Sequence, residues 1–253
     1  MNMLKNFLKT NFYHIFWKLF SRSQNSNEES KVIFQLTKNF DIKKNFVEFG
    51  FGIMEFNCVS LAKHRFEGLL IDMEKDSCEK INQISSRLGL NIRGENYFIK
   101  KENIKPIIDF AKEKGNIGVL SLDIDGNDYW ILKEIYSQIK PEVIVTEYNA
   151  SFGLRNISVE YKDNFNRHSE HHSGFYHGAS IMAFGNLLKK DYYLIKNIRG
   201  LNLIFIRKDK LTDKRKILNL KQAYQEQELR NKLSHSNANK QWQEIKHLKY
   251  INL

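Results

Sequence analysis

Four carboxylates close four short apolar runs of the sequence: Glu48 in NFVEFG, Asp72 in GLLID, Asp123 in GVLSLD and Glu147 in VIVTE. An acid at the carboxyl end of a parallel strand faces the crevice in which open α/β sheets hold their ligands. The four are therefore placed to accept hydroxyl or ammonium protons, or to hold a cation. Gly50 and Gly52 follow the first acid in VEFGFG, and glycines at such positions let a strand turn sharply while its backbone approaches a ligand. A dinucleotide, a phosphate group and S-adenosylmethionine all fit that description. The pattern lacks the third glycine of the dinucleotide fingerprint, with Met54 two places after Gly52, and so leans away from NAD. Asp72 follows Glu48 by 24 residues, where an acid can accept both ribose hydroxyls of an adenosine; a surface acid capping the next helix is the alternative. Glu102 is a candidate for the adenine amino group or for a helix N-terminal carboxylate.

A second constellation lies further on. LDIDGNDYW puts Asp123, Asp125, Asn127 and Asp128 within six residues. Strand alternation sends Asp123 and Asp125 to one side, and Gly126 permits a tight turn before a helix that Asn127 or Asp128 would cap. The following run ends TEYN, adding Glu147 and Asn149. RHSEHHSGFYHGAS then supplies His168, His171, His172 and His177 beside Arg167 and Tyr176. Histidine is the side chain best suited to proton transfer near neutral pH. The four could also ligate a transition metal, although no spacing matches a zinc signature, or stand exposed on a loop. Arg155, Lys162 and Arg167 are candidates to hold a phosphate or carboxylate.

The elements that must position these residues alternate from about residue 41. KNFVEFG reads as a strand followed by a helix over Met54 to Lys63. EGLLIDME is a second strand, with a helix in KDSCEKINQISSRLG, and ENYFIKKENI reads as a third strand. KPIIDFAKEKG is a helix with Pro106 in its first turn and Gly115 at its end. IGVLSLDIDG, NDYWILKEIYSQIK and PEVIVTEYN continue as strand, helix, strand. Single helices between strands imply right-handed crossovers and a parallel sheet with helices on both faces. After a long polar and aromatic segment, residues 151–178, a helix in GASIMAFGNLLKKD precedes a hairpin around Arg199 and Gly200. The expected fold is α/β: a seven-stranded, mostly parallel sheet ending in an antiparallel hairpin.

VEFGFG, GLLIDME, LSLDIDGNDYWILKEI and VIVTEYN, in this order, resemble a bacterial class I S-adenosylmethionine-dependent methyltransferase of the FkbM-like kind, with a Rossmann-like sheet. The resemblance covers roughly residues 40–207 and extends to QWQEIKHL in the tail. It implies that Glu48, Gly50 and Gly52 line the methionine and ribose side of the cofactor and that Asp72 takes the ribose; Asp123, at the end of its own strand, is a further candidate cofactor contact. It also implies a place in surface-polysaccharide pathways and a polar, glycan-related or phosphorylated acceptor. DIDGND stands where the broader family often has Asp-x-Glu-Gly, which marks the acceptor side as specialised. By similarity of position to metal-dependent catechol-type methyltransferases, Asp123, Glu147 and Asn149 would hold Mg²⁺ or Mn²⁺; direct hydrogen bonding by these acids to a sugar hydroxyl or to the cofactor ammonium is the other reading. Methyl transfer to oxygen needs a base, for which His172 is the first candidate, followed by Asp125 and Asp123.

The net charge of +11 is confined to the ends. Residues 1–22 carry four Lys/Arg and no acid, residues 207–253 carry twelve against five acids, and residues 23–206 carry 24 of each. A neutral body argues against a nucleic-acid partner. Apolar residues recur with helical period through Met3, Phe7, Leu8, Phe12, Ile15, Phe16 and Leu19, interrupted by Lys5, Lys9 and Lys18. That is an amphipathic helix, docked on the body or a second subunit of a homo-oligomer, or lying at a membrane surface. The division expected is a helix and polar linker over 1–30, a catalytic domain over 31–208, and a basic helical appendage over 209–253. Two cysteines, Cys58 and Cys78, form no framework and point to a reducing cytoplasm, at the inner face of the membrane if the first helix binds lipid. Two rival functions share this sheet: a nucleotide-dependent sugar-modifying oxidoreductase, and a catalytically silent scaffold at the membrane.

Overall fold

The computed structural model describes residues 12–23 and 28–253. Two helices lead, α1 (Tyr13–Phe20) and α2 (Glu28–Asn39). Four strand-then-helix units follow: β1 (Asn45–Phe49) with α3 (Val59–Lys63), β2 (Glu67–Asp72) with α4 (Lys75–Leu88), β3 (Ile92–Asn96) with α5 (Lys105–Lys114), and β4 (Val119–Leu122) with α6 (Asp128–Gln138). After β5 (Val143–Glu147) come β6 (Ile157–Val159), the single-turn α7 (Arg167–Glu170), α8 (Ile181–Leu188) and the hairpin β7 (Tyr192–Ile198) and β8 (Asn202–Arg207). The chain closes with α9 (Leu220–Ala223), α10 (Glu228–Ser234), α11 (Ala238–Ile245) and β9 (Tyr250–Asn252).

The main sheet has seven strands in the order β3-β2-β1-β4-β5-β8-β7. Its first five are parallel, and β8 and β7 run antiparallel, as the sequence leads one to expect. The order reverses between β1 and β4, where Glu48 stands opposite Ser121 and Phe49 opposite Leu122. A crevice opens at such a switch beyond the carboxyl ends of the strands. Period-two alternation supplies both faces with apolar side chains: Val47, Phe49, Leu120 and Leu122 belong to one buried layer, and Phe46, Val119, Val143 and Val145 to the other. Cys58 and Cys78 are free thiols, both buried.

Two local expectations shift. The third strand is Ile92–Asn96 rather than ENYFIKKENI. Gly94 explains why: a Cβ there would lie 2.5 Å from Ile81 and 3.0 Å from the Cys78 carbonyl oxygen, so glycine lets α4 settle against β3. The apolar Tyr97, Phe98 and Ile99 leave the sheet and border the crevice instead. The helix expected from Met54 starts only at Val59. Gly52 and Glu55 exchange two backbone hydrogen bonds of 3.0 and 2.9 Å, and the Asn57 and Cys58 amides are taken by the Glu48 carboxylate, so the segment is committed to a turn.

The described part of the leading helix docks on the body. Trp17 is fully buried, donates its indole N–H to the Ile53 carbonyl at 2.6 Å and stacks on Phe56. Phe12, Ile15 and Leu19 stay exposed on its other side. Residues 1–11 of the expected amphipathic stretch lie outside the described residues. Among the described residues no helix is long and apolar enough to cross a membrane. The C-terminal segment returns to the body, where β9 pairs antiparallel with β6.

Candidate active site

A cavity of about 530 Å³ occupies the crevice and is bordered by the β1 turn, the end of β2, the Tyr97–Ile99 segment and the β4 end. Gly50 makes the β1 turn possible. Its φ is +70°, and a Cβ would lie 1.8 Å from the Asp123 carbonyl oxygen, so any other residue would force β1 and β4 apart at the point where they flank the cavity. Asp72 stands on the opposite wall, half-buried. One carboxylate oxygen accepts the Phe51 N–H at 3.1 Å and the other the Glu74 N–H at 2.7 Å. Each oxygen keeps a second lone pair, so the side chain is held rigid while still able to accept a vicinal diol. Burial raises its pKa, against the pull of those amides. Met73 and Phe98 line the same cavity and are 63% and 41% exposed, with Lys100 Nζ 5.8 Å from the centre of the Phe98 ring.

The acids of β4 and β5 form the far end. Burial pushes Asp123 well above the ordinary carboxylate range, and so do the neighbouring Glu147, Asp125 and Asp128 and a hydrogen bond with Glu147. Glu147 is raised too, by burial first and then by Asp125. Two carboxylates this close cannot both ionise freely, so the pair titrates as a unit. Asp125 adopts left-handed backbone, φ 55°, and is ion-paired with Arg167. Asp128 does not cap α6 at its N-cap position; its carboxylate reaches back to the Ile124 and Gly126 amides, both at 2.9 Å, and closes the DIDGND loop. Asn127 donates to the Lys162 carbonyl at 2.8 Å and ties the 151–178 segment to this loop.

The set expected to hold Mg²⁺ or Mn²⁺ does not fit an ion. Arg230 of α10, 9% exposed, brings its guanidinium to two of the three proposed ligands, 3.0 Å from Asn149 Oδ1 and 3.2 Å from Glu147 Oε1, and lies 3.0 Å from the neighbouring His177 Nε2. Asn149 Oδ1 also accepts the Ser151 N–H, while its amide nitrogen donates to the Phe175 and His177 carbonyls. Burial pulls Arg230 down to about 10, opposed by Glu147, so it is still a cation at neutral pH. Asp125, Glu147 and His177 also gather as ligands would, but Arg230 already bonds Glu147 and His177, and Arg167 is ion-paired with Asp125. A fixed organic cation thus stands where the catechol-type resemblance places a metal. His177 is buried, and its pKa is driven well below the ordinary value by that burial and then by Arg167 and Arg230; it is a neutral imidazole packed into the site.

A second cavity, about 760 Å³, lies beyond and shares Asp123, Asp125, Arg167 and His168 with the first. Glu147, Ser173, Phe175, Arg230, Ser234 and Glu244 complete much of its wall. Arg167 is clamped, donating to Asp125 and, at 3.0 Å, to the Gly174 carbonyl.

The structure gathers Gly50, Gly52, Asp72, Asp123 and Asp125 around the first cavity. Glu48 is elsewhere: buried, with both oxygens accepting the Asn57 and Cys58 amides at 2.6 and 2.8 Å, it builds the turn beneath the cavity, and burial lifts its pKa to about 7. Glu102 is exposed on a short turn and does not line the cavity. His172 lines the second cavity, 3.5 Å from Glu244 and 83% exposed. Arg155 packs on Trp242 and Lys162 pairs with Glu170, so of the three basic residues only Arg167 lines the cavities. His168, on the shared wall, was one histidine among four in the sequence; its place just after the capping Asn166 of α7 is the local signal. Arg230 carries no such signal, being one base in a basic tail.

No family model and no curated protein matches the sequence. Among solved structures the chain is similar to an S-adenosylmethionine-dependent methyltransferase from Clostridium acetobutylicum (11% identity, 79% of this chain and 98% of that one, TM-score 0.45). It is also similar to an SAH-bound methyltransferase from Podospora anserina (12%, 81% and 86%, 0.47) and to an O-methyltransferase from Bacillus cereus in complex with SAH (11%, 81% and 97%, 0.46). The likeness is one of fold, the Rossmann-like α/β sheet whose strand order is given above.

Proposed function

We propose that this protein transfers a methyl group from S-adenosylmethionine to a hydroxyl oxygen of a polar, carbohydrate-like acceptor. The observation that carries this reading is the pair of cavities meeting at Asp123, Asp125, Arg167 and His168, one built at the β1–β4 switch and the other lined by charged residues such as Glu147, Arg230 and Glu244 together with the apolar Phe175, Leu201, Leu229 and Leu233. Asp72 would take the ribose hydroxyls, the Gly50 turn would admit the amino-acid part of the cofactor, and Met73, Phe98 and Ile99 would cover the adenine. Bound there, S-adenosylmethionine supplies an electrophilic methyl.

The chain's own residues do the rest. Asp123, made a stronger base by its burial and the carboxylates beside it, accepts in its ionised form the acceptor hydroxyl proton as the oxygen becomes nucleophilic. Arg167 holds Asp125 on the shared wall, and Arg230 neutralises Glu147, so that the two-carboxylate end does not repel an electron-rich oxygen. Orientation of two bound partners across one wall provides most of the acceleration.

Calorimetric titration of the purified chain with S-adenosylhomocysteine tests this. Binding is expected, unchanged by EDTA, and weakened about 10- to 100-fold in Asp72→Ala, the loss of a charged hydrogen-bonding partner. No heat with the cofactor product, or equal affinity in Asp72→Ala, would sink the assignment.

A further inference from the structure

Three histidines that the catalytic reading leaves unused, His171, His172 and His247, stand together beside the second cavity, which His172 lines. His171 and His172 follow α7, and Glu244 belongs to α11, more than seventy residues on. One ligand-type atom from each of the three lies within 4.8 Å of the others. His172 Nε2 is 3.5 Å from Glu244 Oε1, the two imidazole centroids are 4.4 Å apart, and the His247 ring is 6.3 Å from that of His171.

We propose that His171, His172 and Glu244 bind one divalent transition-metal ion of borderline softness, Zn²⁺ above all, with His247 or water as the fourth ligand. Two imidazoles and a carboxylate are a donor set that suits zinc, cobalt or nickel and disfavours magnesium. In a tetrahedral zinc site the donor atoms lie about 3.4 Å apart. From 4.8 Å that spacing needs only side-chain rotation, and His172 and Glu244 are exposed enough to rotate. Ring orientation is set for His171 by its Nδ1, which lies 2.8 Å from the Ser173 hydroxyl and accepts the Ser173 N–H at 3.4 Å.

The ion would join two segments distant in sequence. His172 and Glu244 both line the second cavity, and His171 follows the helix that carries Arg167 and His168. A metal here therefore clips the α7 segment to α11 and fixes one wall of that cavity. It is distinct from the Asp123, Glu147 and Asn149 set, where Arg230 already supplies the positive charge. Metal affinity at these residues stands independently of what the cavities bind.

The full chain, free of any polyhistidine tag and stripped with a chelator, would be titrated with Co²⁺ while its visible d–d absorption is followed, and then with Zn²⁺. One equivalent of Co²⁺ with a tetrahedral-type spectrum is expected, displaced by Zn²⁺ and not by excess Mg²⁺. In the double variant His171→Ala, His172→Ala the affinity should fall at least 100-fold, and in Asp125→Asn it should stay within about twofold. An unchanged melting temperature of the metal-free double variant would show that it folds. Absence of a cobalt spectrum, or equal affinity in the double variant, would overturn the site, whatever the outcome with S-adenosylhomocysteine.

Discussion

The two cavities that meet at Asp123 are built in different ways. The first is made of backbone turns at the ends of neighbouring parallel strands, with Gly50, Asp72 and Asp123 each one step beyond a ladder that fixes its place. The second is made of side chains from the 167–175 segment and α10 and α11, brought to β4 and β5 by hydrogen bonds such as Asn127 to Lys162 and Arg230 to Asn149. A backbone-built site tolerates change in most side chains near it and fails when a turn is blocked. A side-chain-built site fails wherever one charge loses its partner.

That contrast can be broken at several points. The largest effect is expected at the shared wall, where Asp123→Asn removes the proposed base. Turnover should fall about 10²- to 10⁴-fold, the usual contribution of general acid–base catalysis, with S-adenosylhomocysteine affinity within a few-fold of the parent. Near-normal turnover in a single-turnover assay would remove Asp123 from the chemistry.

Next comes Arg230→Met. It leaves Glu147 buried without its guanidinium, a change expected to cost about 3–5 kcal/mol, read as a fall in the urea midpoint. Adding Glu147→Gln should recover part of that loss, because the uncompensated charge is then gone. Equal stability of the single and double variants would show that the ion pair is not what the cluster depends on.

On the backbone-built side, Gly50→Ala places a Cβ on the Asp123 carbonyl in left-handed backbone. A loss of about 1–3 kcal/mol is expected for the strain alone, together with loss of cofactor-product binding, measured by denaturant unfolding and calorimetry. If instead binding and stability both survive, the β1 turn is not a fixed wall.

The smallest effect concerns pH. Asp123 must be ionised to accept a proton, so kcat/KM should rise with pH through the raised pKa of the Asp123–Glu147 pair. Glu147 is, after burial, the largest cause that raises Asp123. Neutralising it in Glu147→Gln should lower the Asp123 pKa and move the acid limb to lower pH. A limb that stays in place, or moves upward, would separate the two carboxylates.

Strands β1, β2, β4, β5 and the closing hairpin were legible because local rules fix them. Apolar runs of five or six residues ending in acid or glycine mark β1, β2, β4 and β5, and Gly115 and the hairpin at Arg199–Gly200 mark ends that backbone sterics demand. Tyr97–Ile99 misled because an apolar triplet looks the same whether it is paired in a sheet or borders a ligand cavity. Glu48 misled for a related reason: at a strand end an acid can face the crevice or turn under it, and here the amides of Asn57 and Cys58 took it.

By itself, then, the sequence determined the mostly parallel sheet with its closing hairpin and the turn at Gly50, since periodicity, glycine and strand length act over a few residues. Only the tertiary structure decided which charges meet. Arg230 lies 83 residues from Glu147 in the chain, and the 3.2 Å between their side chains depends on how α10 packs against the sheet. The same is true of Glu244 beside His172. No local pattern encodes such a pairing, because its physical cause is the burial of two elements against one another.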